Sequence, residues 1–300
     1  MMELAPARAA GKSHLAFALL WLPRDRRRDA MIFFRFCRAV DDIADEPGRG
    51  EDEKRRLLQE WLDAIGRNGL PAELEAVIAR RAIERNLLAE IVRGCATDIR
   101  PERFETFPDL EKYCWRVACA VGLASIRIFG CEDPASSTYA ENLGHALQLT
   151  NILRDVGEDA AAGRIYLPLA DLRRFGVSVE DLLDGKPTPG FRRLMRFEAG
   201  RARARFHAAI PPAGDRRALL APEIMKAIYL RILSRLEKDG FPVFARRIRL
   251  GRLEKLAAAL DVWLRSLIRL RPLDPARGSA PGQAPDASRK NSRTRPPATR

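Results

Sequence analysis

Apolar residues recur every three to four positions along most of this chain, and the strict alternation of half-buried strands is nearly absent, so the pattern predicts an all-α protein. Pro23 precedes a helix predicted over 24–45, which Pro47-Gly48 closes; Glu51 to Ile65 forms a second, ending in the stretch Gly66 to Gly69. Further helices are predicted over 71–96, 109–130, 134–159, 190–209, 221–239 and 251–270, leaving 160–184 as the longest irregular piece before the C-terminal stretch. Residues 271–300 hold six of the twenty prolines and almost no large apolar side chain, a composition that predicts disorder. No repeat of fixed period and no internal linker interrupts the helices. The expected organisation is one domain over 12–270, between an N-terminal extension, 1–11, and a basic, Pro-rich tail, 271–300.

At 300 residues and 46% apolar composition the chain can bury a sizeable core, which excludes disorder throughout. The formal charge of +13 suggests a polyanionic partner, but the tail carries seven basic residues against two acidic ones, more than a third of the excess. The rest is spread over helix faces such as Arg24 to Arg28 and Arg201 to Arg205, beside no zinc-finger or RNP-type signature. Nucleic acid is therefore not expected as a partner; diphosphate substrates or an anionic membrane suit a basic surface equally well. Cys37, Cys95, Cys114, Cys119 and Cys131 form no CxxC pair and lie in apolar helical stretches, as reduced core residues of a cytoplasmic protein do. The apolar segment Leu15 to Leu22 is too short to span a bilayer, so any membrane contact is expected to be peripheral, at the inner membrane.

Two acidic clusters interrupt this pattern. A helix turning by 100° per residue brings Phe34, Arg38, Asp41 and Asp45 within roughly 60° of one another, and Gln148, Asn151, Asp155 and Asp159 within about 80°. Both are polar stripes on otherwise apolar helices, in the last turns, where the macrodipole disfavours a carboxylate by about 0.3 to 1 kcal/mol. Carboxylates four residues apart also repel each other, so bound cations are expected. All-oxygen ligands favour a hard ion such as Mg²⁺, which takes a few carboxylates and completes its octahedron with water and phosphate oxygens. Neither cluster has the spacing of a Ca²⁺-binding EF-hand. Arg38 and Arg154, beside the carboxylates, are placed to hold a diphosphate. A single such run would read as a solvated helix end; the pair, one with an embedded Asn, reads as a metal and phosphate site.

Cys37 to Glu46 resembles the first aspartate-rich motif of the squalene and phytoene synthase family, and Gln148 to Asp159, continuing as Gly163-Arg164-Ile165-Tyr166-Leu167-Pro168, resembles the second. Weaker similarity covers Tyr113-Cys114, Val117-Ala118, Val121-Gly122, Tyr229, Ile232-Leu233 and Val243 to Arg247, so that the likeness spans about residues 12–260 in the family's order. The resemblance implies a helical isoprenoid synthase fold with a central cavity between the two motifs. It implies that Asp41, Asp45, Asn151, Asp155 and Asp159 bind Mg²⁺, that Asp41, Asp45, Asp155, Asp159 and Tyr113 are catalytic, and that Arg38, Arg154, Tyr229, Gln148 and one of Arg246 or Arg247 hold the prenyl diphosphates. Ala118, Val121, Gly122, Leu143 and Leu147 are candidates for a water-excluding wall.

The implied reaction is head-to-head condensation of two farnesyl diphosphates to presqualene diphosphate or a squalene-type product, with NADPH needed only if it proceeds to squalene; the runner-up is phytoene synthesis from two geranylgeranyl diphosphates. Two positions depart from the family pattern. A Ser-x-Ser-Phe-type segment reads Lys12-Ser13-His14-Leu15-Ala16-Phe17, and a tyrosine usual in the first motif helix is Phe34. His14 is a further candidate for touching a diphosphate, whereas His145 and His207 read as structural. A non-catalytic relative acting as an assembly factor is the alternative from a different class, and the intact aspartates argue against it.

Overall fold

The computed structural model describes residues 3–5, 14–100 and 103–269, and among these it contains helices and turns but no strand. The all-α expectation holds. The helices are α1 (His14–Leu19), α2 (Arg24–Asp45), α3 (Glu51–Arg67), α4 (Ala72–Arg81), α5 (Arg85–Thr97), α6 (Phe107–Cys114), α7 (Ala120–Phe129), α8 (Ala135–Ala161), α9 (Leu169–Phe175), α10 (Val179–Leu183), α11 (Pro189–Ala208), α12 (Leu220–Lys238) and α13 (Arg252–Arg269). The tail 271–300, the extension apart from residues 3–5, Lys12, Ser13 and the side chain of His14 lie outside the described residues.

Helix α2 packs among α1, α3, α4, α5 and α7, and α8 among α6, α7, α10, α11 and α12. The two helices that carry the acidic clusters thus belong to opposite sides of the bundle. Helix α7 packs against both, and with the π-helical turn Trp115–Cys119 that joins it to α6 it forms part of the wall between them. A Cβ on Gly144 of α8 would stand 2.8 Å from Cys119 Cα, so the bare glycine is what lets α8 close onto that turn.

Two sequence expectations are corrected. The helix predicted over 71–96 is two helices, because Ala82 takes a left-handed conformation (φ 49°) and the Ile83 N–H reaches back to the Ile78 carbonyl at 3.1 Å. No Gly or Pro marks this break, and ion pairs from a distant part of the chain lie beside it. Asp29 of α2 is only 2% exposed and accepts from Arg80 (Nη2 to Oδ1, 2.6 Å) and Arg81 (Nε to Oδ2, 2.7 Å), the last two residues of α4. The stretch 160–184, expected to be irregular, contains α9 and α10. Ser178 caps α10 by accepting from the Asp181 N–H at 3.0 Å while Asp181 accepts from the Ser178 N–H, a capping box readable in Ser-x-x-Asp.

Removing Asp29 would leave Arg81, 15% exposed, without its buried partner. Asp29→Ala is expected to destabilise the fold by about 3 kcal/mol, read as a lowered denaturant midpoint at unchanged slope.

Candidate active site

A cavity of about 750 Å³ lies between α2 and α8. Its polar end is lined by Arg38, Asp41, Asp98, Gln148, Asn151, Arg154, Tyr229 and Arg247. All five wall candidates, Ala118, Val121, Gly122, Leu143 and Leu147, line its apolar part, as does Phe34.

On α2, Arg38 donates to Asp41 (3.0 Å) and Asp42 (2.6 Å). Asp45, one turn on, accepts from Arg164 Nη1 at 2.9 Å. Arg164 follows α8, so this pair joins the end of one acidic helix to the chain leaving the other. On α8, Arg154 grips Asp155 through two hydrogen bonds, Nε to Oδ1 at 2.8 Å and Nη2 to Oδ2 at 2.6 Å, and Arg247 adds a third to Oδ2 at 2.8 Å. Arg154 is buried, and Asp155 and the adjoining Tyr229 keep its charge well held.

Arg247 and Arg246 part company here. Arg247 reaches Asp155 and Glu158 (2.9 Å), whereas Arg246 points away to Asp239 at 2.7 Å and is exposed. Of the two, Arg247 is the one that lines the cavity and meets the carboxylates of α8. The placement depends on Gly157: a Cβ there would collide with the Val243 carbonyl oxygen and stand 3.1 Å from Phe244 Cα, so only glycine lets the turn carrying Arg247 lie against α8.

The carboxylates that lack a full complement of guanidinium partners are strained electrostatically. Enclosure by the cavity walls and the neighbouring Asp45 push Asp41 up to about 6, against the help of Arg38. Burial and Asp155 push Asp159 up to about 7, although Arg164 opposes the shift. The buried Asn151 Oδ1 accepts no hydrogen bond, its amide nitrogen donating to Gln148 Oε1 at 3.4 Å. Unpartnered amide oxygen and carboxylates that resist ionisation are the donor set a hard divalent cation would satisfy, so the residues present fit Mg²⁺. Among the described residues no three His, Cys, Asp or Glu side chains converge on one point.

One cavity-lining carboxylate escaped the sequence reading. Asp98, just past the end of α5, accepts from Tyr113 Oη (3.0 Å to Oδ2) and from Tyr166 Oη (2.7 Å to Oδ1), and burial raises its pKa. Tyr113 and Tyr166 stack with ring centroids 5.4 Å apart, backed by Phe104. Asp98 stands alone in the sequence between Thr97 and Ile99, and no spacing announces it.

Residues 8–254 match the Squalene/phytoene synthase family. The chain is 35% identical to a presqualene diphosphate synthase of Rhodopseudomonas palustris, over 84% of this chain and 93% of that one, and 36% identical to a phytoene synthase of Thermus thermophilus, over 83% and 84%. It is 32% identical to phytoene synthase 1 of Arabidopsis thaliana, over 84% of this chain, but spans only 63% of that protein's length. Among solved structures it resembles a dehydrosqualene synthase in complex with a ligand, at a TM-score of 0.75 and 26% identity over 86% of this chain and 94% of that one.

Two outcomes follow from the site's electrostatics and packing. With Asp41 and Asp159 raised above the unfolded value of 3.8, the folded metal-free protein binds more protons than the unfolded chain, so its stability should fall as pH rises from about 4 to about 7. Mg²⁺ competes with those protons, so the rise in melting temperature on adding Mg²⁺ should grow across the same window. Gly157→Ala should push the Arg247 turn off α8 and weaken binding of inorganic pyrophosphate by about tenfold in calorimetry, with the helical circular dichroism retained.

Proposed function

The chain belongs to the squalene/phytoene synthase family, and from that premise we propose that it joins two prenyl diphosphates head to head with release of pyrophosphate, in one domain over residues 12–270. The observation that carries the reading is that Arg38 and Asp41 of α2 and Gln148, Asn151 and Arg154 of α8 line one cavity with an apolar wall, while Asp155, outside the lining, is held by Arg154. Arg38, Arg154 and Arg247, with Tyr229 and Gln148, would hold the diphosphates by charge-assisted hydrogen bonds. Asp41, Asp45, Asn151, Asp155 and Asp159 would hold Mg²⁺, which when bound supplies neutralising charge to a departing diphosphate.

In the reaction, the C1–O bond of one allylic diphosphate breaks and pyrophosphate leaves with the electron pair, held by the arginines. The double bond of the second substrate attacks the resulting cation, and loss of a proton closes a cyclopropane that retains its own diphosphate. Tyr113, its hydroxyl anchored on Asp98, presents an electron-rich ring system to the cavity where positive charge develops. The wall of Ala118, Val121, Gly122, Leu143 and Leu147 keeps out water that would quench the cation.

We take farnesyl diphosphate as the substrate, a reading supported by similarity over nearly the whole length of the presqualene diphosphate synthase. Geranylgeranyl diphosphate is the second reading, supported by the Thermus thermophilus phytoene synthase at comparable identity and coverage. NADPH would be required only for reduction to squalene. Peripheral contact with a membrane belongs to the same proposal; among the described residues no helix is long and apolar enough to cross one.

Mass spectrometry of products from each diphosphate, with and without NADPH, decides between the two. Farnesyl diphosphate should give a triterpenoid product; a tetraterpene from geranylgeranyl diphosphate alone would establish the second reading, and no pyrophosphate release from either would favour a non-catalytic assembly role. Asp159→Asn should cut turnover at least about a hundredfold while leaving the metal-free protein as stable or more so, since Asn mimics the protonated form.

A further inference from the structure

Helix α13 is built the wrong way round for a helix that ends in solvent. Among its described side chains the fully buried ones are small, Ala258 and Ala259, whereas Leu253 (82% exposed), Leu256, Leu260, Trp263 and Leu264 (53% exposed) face outward. At 100° per residue these five fall within an arc of about 100°, one continuous apolar stripe. Trp263 touches Trp21 at 6.4 Å between ring centroids, and beside Trp21 the side chain of Leu20 is 61% exposed, so the stripe continues onto the end of α1. Five of the eight exposed large apolar residues among those described lie on this one helix.

A pocket rich in positive charge borders it. Arg231, Arg235, Lys238, Arg246 and Arg249 line a depression between α12 and the start of α13, with Arg252 exposed next to Leu253. An apolar stripe flanked by Lys and Arg, with tryptophan at its edge, is the pattern of a helix lying in a lipid headgroup layer. We propose that α13, Leu20 and this basic pocket form a docking face for an anionic lipid bilayer. Other occupants fit less well. A second copy related by a twofold axis would set the basic pocket near its own image. Residues 271–300 offer Leu273 as their single large apolar side chain, too little to cover the stripe.

The face is also the outer side of the cavity wall. Leu19 lines the cavity while Leu20 faces out, and Lys255 lines it while Leu253 and Leu256 face out. Docking would therefore set this wall of the cavity against the bilayer, where a water-insoluble product belongs. The inference names the surface for the membrane contact proposed above, and its test does not depend on turnover.

Co-sedimentation of the full chain with vesicles of phosphatidylglycerol and phosphatidylcholine, at low salt, reads the docking directly, with pure phosphatidylcholine as the comparison. Wild type should partition onto the anionic vesicles and be released by salt. Leu253→Ser with Leu264→Ser should weaken that partition at least about tenfold at an unchanged melting temperature, and Lys238→Glu with Arg252→Glu should flatten its salt dependence. Undiminished binding of the leucine variant would overturn the face while leaving membrane contact standing. No wild-type binding to anionic vesicles would overturn both, and so would a wild-type dimer that the leucine variant converts to monomer without vesicle binding.

Discussion

Carboxylates crowded on one helix face repel their neighbours, and burial beside an apolar cavity disfavours their charge further; that tension sets the terms for everything around it. Asp41 and Asp159 feel it most, and the protein answers with arginines on both helices: Arg38 within α2, Arg154 and Arg247 on Asp155, and Arg164 between the end of α2 and the chain after α8. The answer is incomplete by design of the site. Asp41 and Asp159 remain reluctant to ionise and Asn151 Oδ1 remains without a donor, the conditions that the proposed cations would relieve.

Holding that arrangement requires a stiff frame, and the frame relies on places where side chains are missing. Gly144 lets α8 meet the π-helical turn, and Gly157 admits the turn that delivers Arg247. Asp29 ties α2 to α4 through two guanidiniums and so fixes one wall against the rest of the bundle. The same packing sets an apolar wall beside a charged end of the cavity, an environment in which a guanidinium acts far more strongly on an anion than it would in water.

Much of this was legible in the sequence, because helical periodicity reports burial and the acidic stripes violate it. The α2 and α8 boundaries lie close to their predicted ends for that reason, and Arg38, Asp41, Gln148, Asn151, Arg154 and Tyr229 line one cavity as their shared helical faces and the family likeness suggested. What escaped were features made by tertiary partners. The break at Ala82 lies beside ion pairs to Asp29, fifty-three positions earlier in the chain. Asp98 becomes a hub only when α5 ends beside Tyr113 and Tyr166, and Arg247 is told from Arg246 only by the turn on Gly157. The outward apolar face of α13 has the periodicity of a buried one, and periodicity alone does not say which side the core is on.

The central claim is that the two carboxylate clusters are completed by divalent cations together with a diphosphate. Crystals grown with Mn²⁺ in place of Mg²⁺ and with inorganic pyrophosphate would test it through anomalous scattering. Peaks are expected in contact both with Asp41 or Asp45 and with Asn151, Asp155 or Asp159, with the pyrophosphate bridging to Arg154 or Arg247. Pyrophosphate held by the arginines with no metal at either cluster would contradict the account.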